Sequence, residues 1–128
     1  MKRFVKHITV STADLDHLKH VNNVRYLEWV QQISGEHWAQ LSRPEWDSRY
    51  FWVVRSHHID YYKEALLGEE LELTTFVPEL KGPLSRRIVE FRRAGSDQLL
   101  VRCETQWCLI DTSTKRPCRI PEPICACF

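Results

Sequence analysis

Alternating and helical spacings of apolar residues divide the chain into strand-like and helix-like stretches. From Phe4 to Thr12, Phe4, Lys6, Ile8 and Val10 fall on one side and Val5, His7 and Thr9 on the other, which predicts a strand. Ser11 to Lys19 has no apolar period and reads as a loop. From Val21 the period changes. Val24, Leu27, Val30 or Gln31, Ile33, Trp38 and Leu41 recur at helical spacing, predicting a largely buried helix of about 20 residues, or ~30 Å. Asn22 suits its N-cap, and Pro44 helps to stop it. Strand-like segments follow at Phe51–Tyr62, Glu69–Leu80, Ser85–Ala94 and Leu99–Asp111, with turns at Gly68, Lys81-Gly82-Pro83 and Gly95-Ser96-Asp97. Consecutive hairpins imply an antiparallel sheet, and one sheet with one long helix implies an α+β domain. That single domain is expected over residues 1–128, with Thr112–Phe128, which holds Pro117, Pro121 and Pro123, as an extended tail on the surface.

Composition narrows the class. The chain has 128 residues, and its formal charge is only +1, which argues against nucleic acid as the main partner. No apolar run approaches the ~20 residues of a membrane-spanning helix. The first residues lack the continuous apolar stretch of a secretion signal, so a cytoplasmic protein is expected. The five cysteines are odd in number, all lie after residue 100 and show no C-x-x-C spacing, as suits free thiols in a reducing compartment. Cys125-Ala126-Cys127-Phe128 formally fits a prenylation box, but no polybasic segment leads into it.

The chemistry-bearing residues crowd where the loop feeds the helix. Asp14, Asp16, His17, His20, Asn22 and Asn23 fall between Asp14 and Tyr26, and these two asparagines are the only ones in the chain. A helix start presents unpaired backbone N–H groups and the positive end of the dipole. One such donor aimed at a developing oxyanion can be worth roughly 3–4 kcal/mol of barrier. A carboxylate just upstream could attack a carbonyl or activate a water. Together they compose a minimal acyl-transfer site, although the same residue types also serve as ordinary caps. Asp16, His17 and His20 match no zinc spacing, and no metal site is expected. His57 and His58 are adjacent on a strand and face opposite ways.

The run Asp14-x-Asp16-x-x-x-His20-Val21-Asn22-Asn23-x-x-Tyr26-Leu27-x-Trp29 resembles the helix-entry motif of hot-dog fold thioesterases. It is similar to the 4-hydroxybenzoyl-CoA thioesterase type and, in its His-Val-Asn-Asn-x-x-Tyr portion, to acyl-ACP thioesterases. A weaker match, Tyr62-Lys63-Glu64 through Gly68-Glu69-x-Leu71, resembles the segment where the family's next strand turns. The resemblance covers roughly residues 4 to 111. It implies a hot-dog fold, in which an antiparallel sheet wraps one long central helix, and it implies thioester hydrolysis.

By position in that motif, Asp16 falls on the family's nucleophile or general base. Asn23 falls where a backbone N–H polarises the thioester carbonyl. His20 and Glu64 match a catalytic-loop histidine and a nearby acid of the acyl-ACP enzymes. Leu18 stands where those enzymes carry an asparagine, which favours the simpler scheme of aspartate plus helix dipole. Asn22 and Tyr26 are expected to contact substrate. The resemblance implies no cofactor beyond the coenzyme A or phosphopantetheine carried by the substrate itself. Its phosphates are expected on Ser85, Arg86 and Arg87, with Lys81, or else on Lys115, Arg116 and Arg119. Partners implied are an acyl thioester, an acyl carrier protein as the alternative carrier, and further copies of the chain in a dimer or tetramer joined by sheet extension. A hot-dog dehydratase and a non-catalytic acyl-thioester-binding module are the competing readings. The loop carboxylate suits carbonyl attack better than either.

Overall fold

The computed structural model describes residues 1–128. Strand β1 (Phe4–Thr9) leads through a loop into helix α1 (Asn23–Leu41) and a short helix α2 (Pro44–Arg49). Then come β2 (Tyr50–Tyr61), β3 (Glu70–Lys81), β4 (Leu84–Arg93), β5 (Leu99–Asp111) and a helical turn α3 (Glu122–Cys125). The strands form one sheet in the order β1-β3-β4-β5-β2, with every neighbouring pair antiparallel. Because β1 and β2 occupy opposite edges, the chain between them must cross four strand spacings, about 19 Å. The loop after β1 and the 19-residue α1 make that connection over one face of the sheet, with α1 running along β2, Tyr26 against Tyr61 at one end and Trp38 against Trp52 at the other.

Local chemistry sets the strand ends and irregularities. Lys81 pairs with Leu84, so Gly82 and Pro83 alone turn the β3–β4 hairpin, and Gly82 adopts φ 59, where a side chain would be strained. The β3–β4 register shifts between Phe76 and Glu79, a stretch that holds Pro78, which has no N–H to give the ladder.

The face that α1 buries is Tyr26, Trp29, Val30, Ile33, Ser34 and His37, a clean 3–4 repeat. This corrects the expected stripe. Val24 is 60% exposed, and the helix is covered on one face only. Two polar residues, Ser34 and His37, complete the true stripe, and an apolar-only count passes over them. Tyr26, Trp29, Val30 and Ile33 pack with Leu71, Leu73, Val89, Phe91, Val101 and Cys103 of the sheet into the main core.

Residues 112–128 also differ from expectation. They fold back rather than lie extended on the surface. Ile120 donates its backbone N–H to the Gly82 carbonyl at 2.9 Å, and Ile120 and Ile124 are buried with Trp46 and Leu109 in a second cluster. The prolines shape a path that ends with Phe128 stacked on Trp38 at 5.9 Å between ring centres. All five cysteines are free. No helix is long and apolar enough to cross a membrane.

Candidate active site

Between β1 and α1 the chain makes a small, tightly bonded loop. Asp14 is buried, and its carboxylate accepts from the Ser11 N–H at 2.8 Å and from Arg25 Nε at 2.7 Å. Desolvation works to raise this carboxyl, but those donors and the Arg25 charge hold it below the usual range. Asp14 is therefore structural. Its own backbone carbonyl accepts from the Asn22 N–H at 2.9 Å and fixes the helix entry.

Asp16 has the opposite surroundings. Its backbone N–H donates to the His20 carbonyl at 2.7 Å, closing a turn in which Lys19 adopts φ 63. The side-chain Oδ1 accepts from Leu18 N–H at 2.9 Å and from His20 N–H at 3.2 Å, which leaves Oδ2 free of protein partners. Desolvation opposes ionisation here too, but the N–H groups of His20 and Leu18 and the nearby His17 and His20 hold the carboxyl low. At neutral pH Asp16 is an accessible carboxylate, fixed in orientation.

The start of α1 completes the arrangement. Asn22 is the N-cap, and its Oδ1 accepts from Val24 N–H at 3.0 Å. Arg25 N–H donates to the Asn22 carbonyl at 2.8 Å. Of the first helical N–H groups, that of Asn23 is left without a partner, at the positive end of the dipole. Asn22 itself is occupied by capping.

A cavity of about 480 Å³ brings together Asp16, His20, Asn23, Tyr26 and Glu64. Four of these residues come from the loop and helix start. Glu64 arrives from the segment after β2, and its Oε1 lies 3.4 Å from His20 Nδ1. Tyr26 is 3% exposed and presents only an edge here, because its ring is packed against Trp29, Tyr61 and Phe91. Tyr61, Tyr62 and Lys63 also line the cavity, and sequence reasoning missed all three. Their adjacency to Glu64 was the available signal. No group of three or more His, Cys, Asp or Glu side chains is placed to hold a metal ion.

Ser85, Arg86 and Arg87, expected together at the phosphates, do not share one surface. Alternate residues of a strand face opposite ways, so β4 splits the trio. Arg86 turns outward to Glu104 at 2.7 Å, whereas Ser85 and Arg87 are buried beneath the helix and do not reach the Asp16 cavity. His57 points inward to Thr105 Oγ1 at 2.8 Å and His58 outward, 73% exposed, as the alternation requires.

Comparison with known proteins follows the same lines. A family model described as the thioesterase-like superfamily matches residues 10–128. No curated protein matches the sequence. Among solved structures, a 1,4-dihydroxy-2-naphthoyl-CoA thioesterase from Synechocystis superposes with a TM-score of 0.84 at 19% identity, covering 98% of this chain and 95% of that one. A probable thioesterase from Escherichia coli gives 0.84 at 23% identity, over 96% and 94% of the two chains. A Staphylococcus aureus protein solved in complex with CoA gives 0.87 at 16% identity, over 98% and 81%. These likenesses establish the α+β hot-dog fold. With the family model spanning nearly the whole sequence, the chain belongs to the thioesterase-like superfamily.

Proposed function

We propose that this protein hydrolyses an acyl thioester at the cavity between Asp16 and the start of α1. Family membership supports the thioester hydrolase class. The observation that carries the assignment of residues is the pairing of a free Asp16 Oδ2 with the unpartnered Asn23 N–H in one cavity. In this reading the thioester carbonyl oxygen accepts from the Asn23 N–H, and the helix dipole favours the charge it gains. Asp16 takes a proton from a water as that water bonds to the carbonyl carbon, or attacks the carbon directly and forms an anhydride that water then cleaves. When the C–S bond breaks, the thiolate collects a proton and leaves. His20, held beside Glu64, stands to supply that proton.

The thiol is that of a phosphopantetheine arm, on CoA or on an acyl carrier protein. With Arg87 buried and Arg86 paired, Lys63 is the cation at the cavity available to its phosphates. The reading also includes self-association through β2. That strand is 12 residues long, its outer edge has no neighbour, and Phe51, Val53 and Tyr61 project from it at 38–44% exposure. A panel of acyl-CoA and acyl carrier protein thioesters, followed by release of free thiol, tests the reading. Turnover of at least one thioester is expected. A well-folded oligomer that releases thiol from none of them would leave the competing reading, a binding module.

A further inference from the structure

The segment that brings Glu64 to the Asp16 cavity is tied down by a residue that does not line the cavity, Arg93. Residues 62–69 link β2 to β3. The start of this link is bonded to β5, where the Leu100 carbonyl accepts from the Tyr62 N–H at 2.8 Å and the Lys63 N–H at 3.1 Å. Beyond Glu64, Ala65 is buried in the core, whereas Leu66 and Leu67 are exposed. Arg93 ends β4 on the same face as Val89 and Phe91, and each of its three nitrogens holds a different residue. Nε donates to Glu69 Oε2, Nη1 to Gln98 Oε1 at 2.5 Å, and Nη2 to the Glu64 carbonyl at 2.9 Å. The other Glu69 oxygen accepts from the Leu66 N–H at 2.6 Å, so Arg93 and Glu69 together grip the link on both sides of Ala65. Burial works to raise the Glu69 carboxyl, but Arg93 and the Leu66 N–H hold it below the usual range, so the grip is an ion pair at neutral pH. A second cavity, of about 350 Å³ around Arg87 at the far end of α1, is lined by the start of β2 and lies apart from this network.

The His20–Glu64 pair needs such a hold. His20 is fixed through its backbone, whose carbonyl accepts from the Asp16 N–H and whose N–H donates to Asp16 Oδ1. Its Nδ1 lies 3.4 Å from Glu64 Oε1, but the two side chains are 48% and 58% exposed. An ion pair in that much water gains too little to keep itself in one geometry. The Glu64 carboxylate stays at His20 only if its backbone is fixed, and Arg93 is the side chain bonded to that backbone. We infer that Arg93 is a positioning residue for hydrolysis: by fixing the Glu64 backbone it keeps the Glu64 carboxylate on His20 Nδ1, which aims the other ring nitrogen at the departing sulfur. This rests on the reading in which His20 protonates the leaving group. In that step the C–S bonding pair passes to sulfur, sulfur takes the proton from His20, and solvent restores it.

A leaving group that needs no proton separates positioning from mere structural support. The acyl group turned over best by the wild type is carried on CoA and, separately, on 4-nitrothiophenol, whose thiolate departs unaided. Arg93→Met should lower kcat on the CoA thioester by about 10- to 10²-fold with KM within about twofold, and should leave kcat on the aryl thioester within about twofold. Glu64→Gln should show the same split, and adding Arg93→Met to it should lower kcat no further, because the two act through one contact. If Arg93→Met does not fold, Arg93→Lys, which keeps a charge beside Glu69 but cannot reach all three acceptors, should show the same dependence on the leaving group. Equal losses on the two thioesters, or a further loss in the double variant, would overturn the inference and leave Arg93 a structural clamp. Asp16→Asn should lose both substrates alike; if it keeps both, the underlying reading fails and this inference with it.

Discussion

The two ends of α1 use charge in opposite ways. At the N-terminal end the carboxylate of Asp16 is half-buried but open to the cavity, and backbone donors on one oxygen keep it ionised and oriented. At the far end Arg87 is desolvated among aromatic rings and held by two neutral acceptors. The first arrangement leaves a charge available for chemistry in water. The second holds a charge away from bulk water with no carboxylate within ion-pair distance. One helix joins them, so its packing must support both.

Packing therefore gives the largest expected loss of stability. Ile33, fully buried midway along α1, should cost about 2–5 kcal/mol when replaced by Ala, read as a lower denaturation midpoint. Val24→Ala, on the exposed face, should stay within about 0.5 kcal/mol. Equal effects would mean that the buried stripe has been misplaced.

Legibility from the sequence followed the same divide between the two ends. Asp16, His20, Asn22 and Asn23 lie within eight residues, so the turn and cap that gather them are local and could be read directly. The Arg87 cavity gathers positions 35, 38, 52, 85, 107 and 128, which only the sheet order brings together. Strand alternation alone would have separated Arg86 from Arg87, yet their adjacency suggested one phosphate site. The buried stripe was obscured because Ser34 and His37 are polar. The helix α2 was too short to show a period, although Pro44 at its first turn and the buried Trp46 were signs of it. Ile120 and Ile124, four apart among prolines, were the sign that the C-terminal segment packs rather than trails.

The next effect separates the two aspartates. Asp14→Asn removes a charge-assisted bond to Arg25 and should destabilise by about 1.5–3 kcal/mol, while the folded protein keeps its kcat. Loss of kcat at unchanged stability would transfer the catalytic role to Asp14.

A smaller effect distinguishes the far end. The unfolded His37 imidazole takes a proton near 6.5 and the folded one only at about 4. Between those values the unfolded chain binds more protons, so stability falls as pH falls. His57, also lowered by burial, adds to the same trend. His37→Gln, which still offers Arg87 an acceptor, should lose less Tm than the wild type between pH 7 and pH 4. Parallel Tm curves would show that His37 is not held neutral by its surroundings.

The central claim is that Asp16 performs the hydrolysis, and steady-state thiol release by Asp16→Asn measures it most directly. The substitution keeps an oxygen for the Leu18 and His20 N–H groups, so the loop and Tm should be preserved. Removing a general base should lower kcat by about 10²–10⁴-fold with little change in KM. A folded Asp16→Asn protein with near-wild-type kcat would contradict the account.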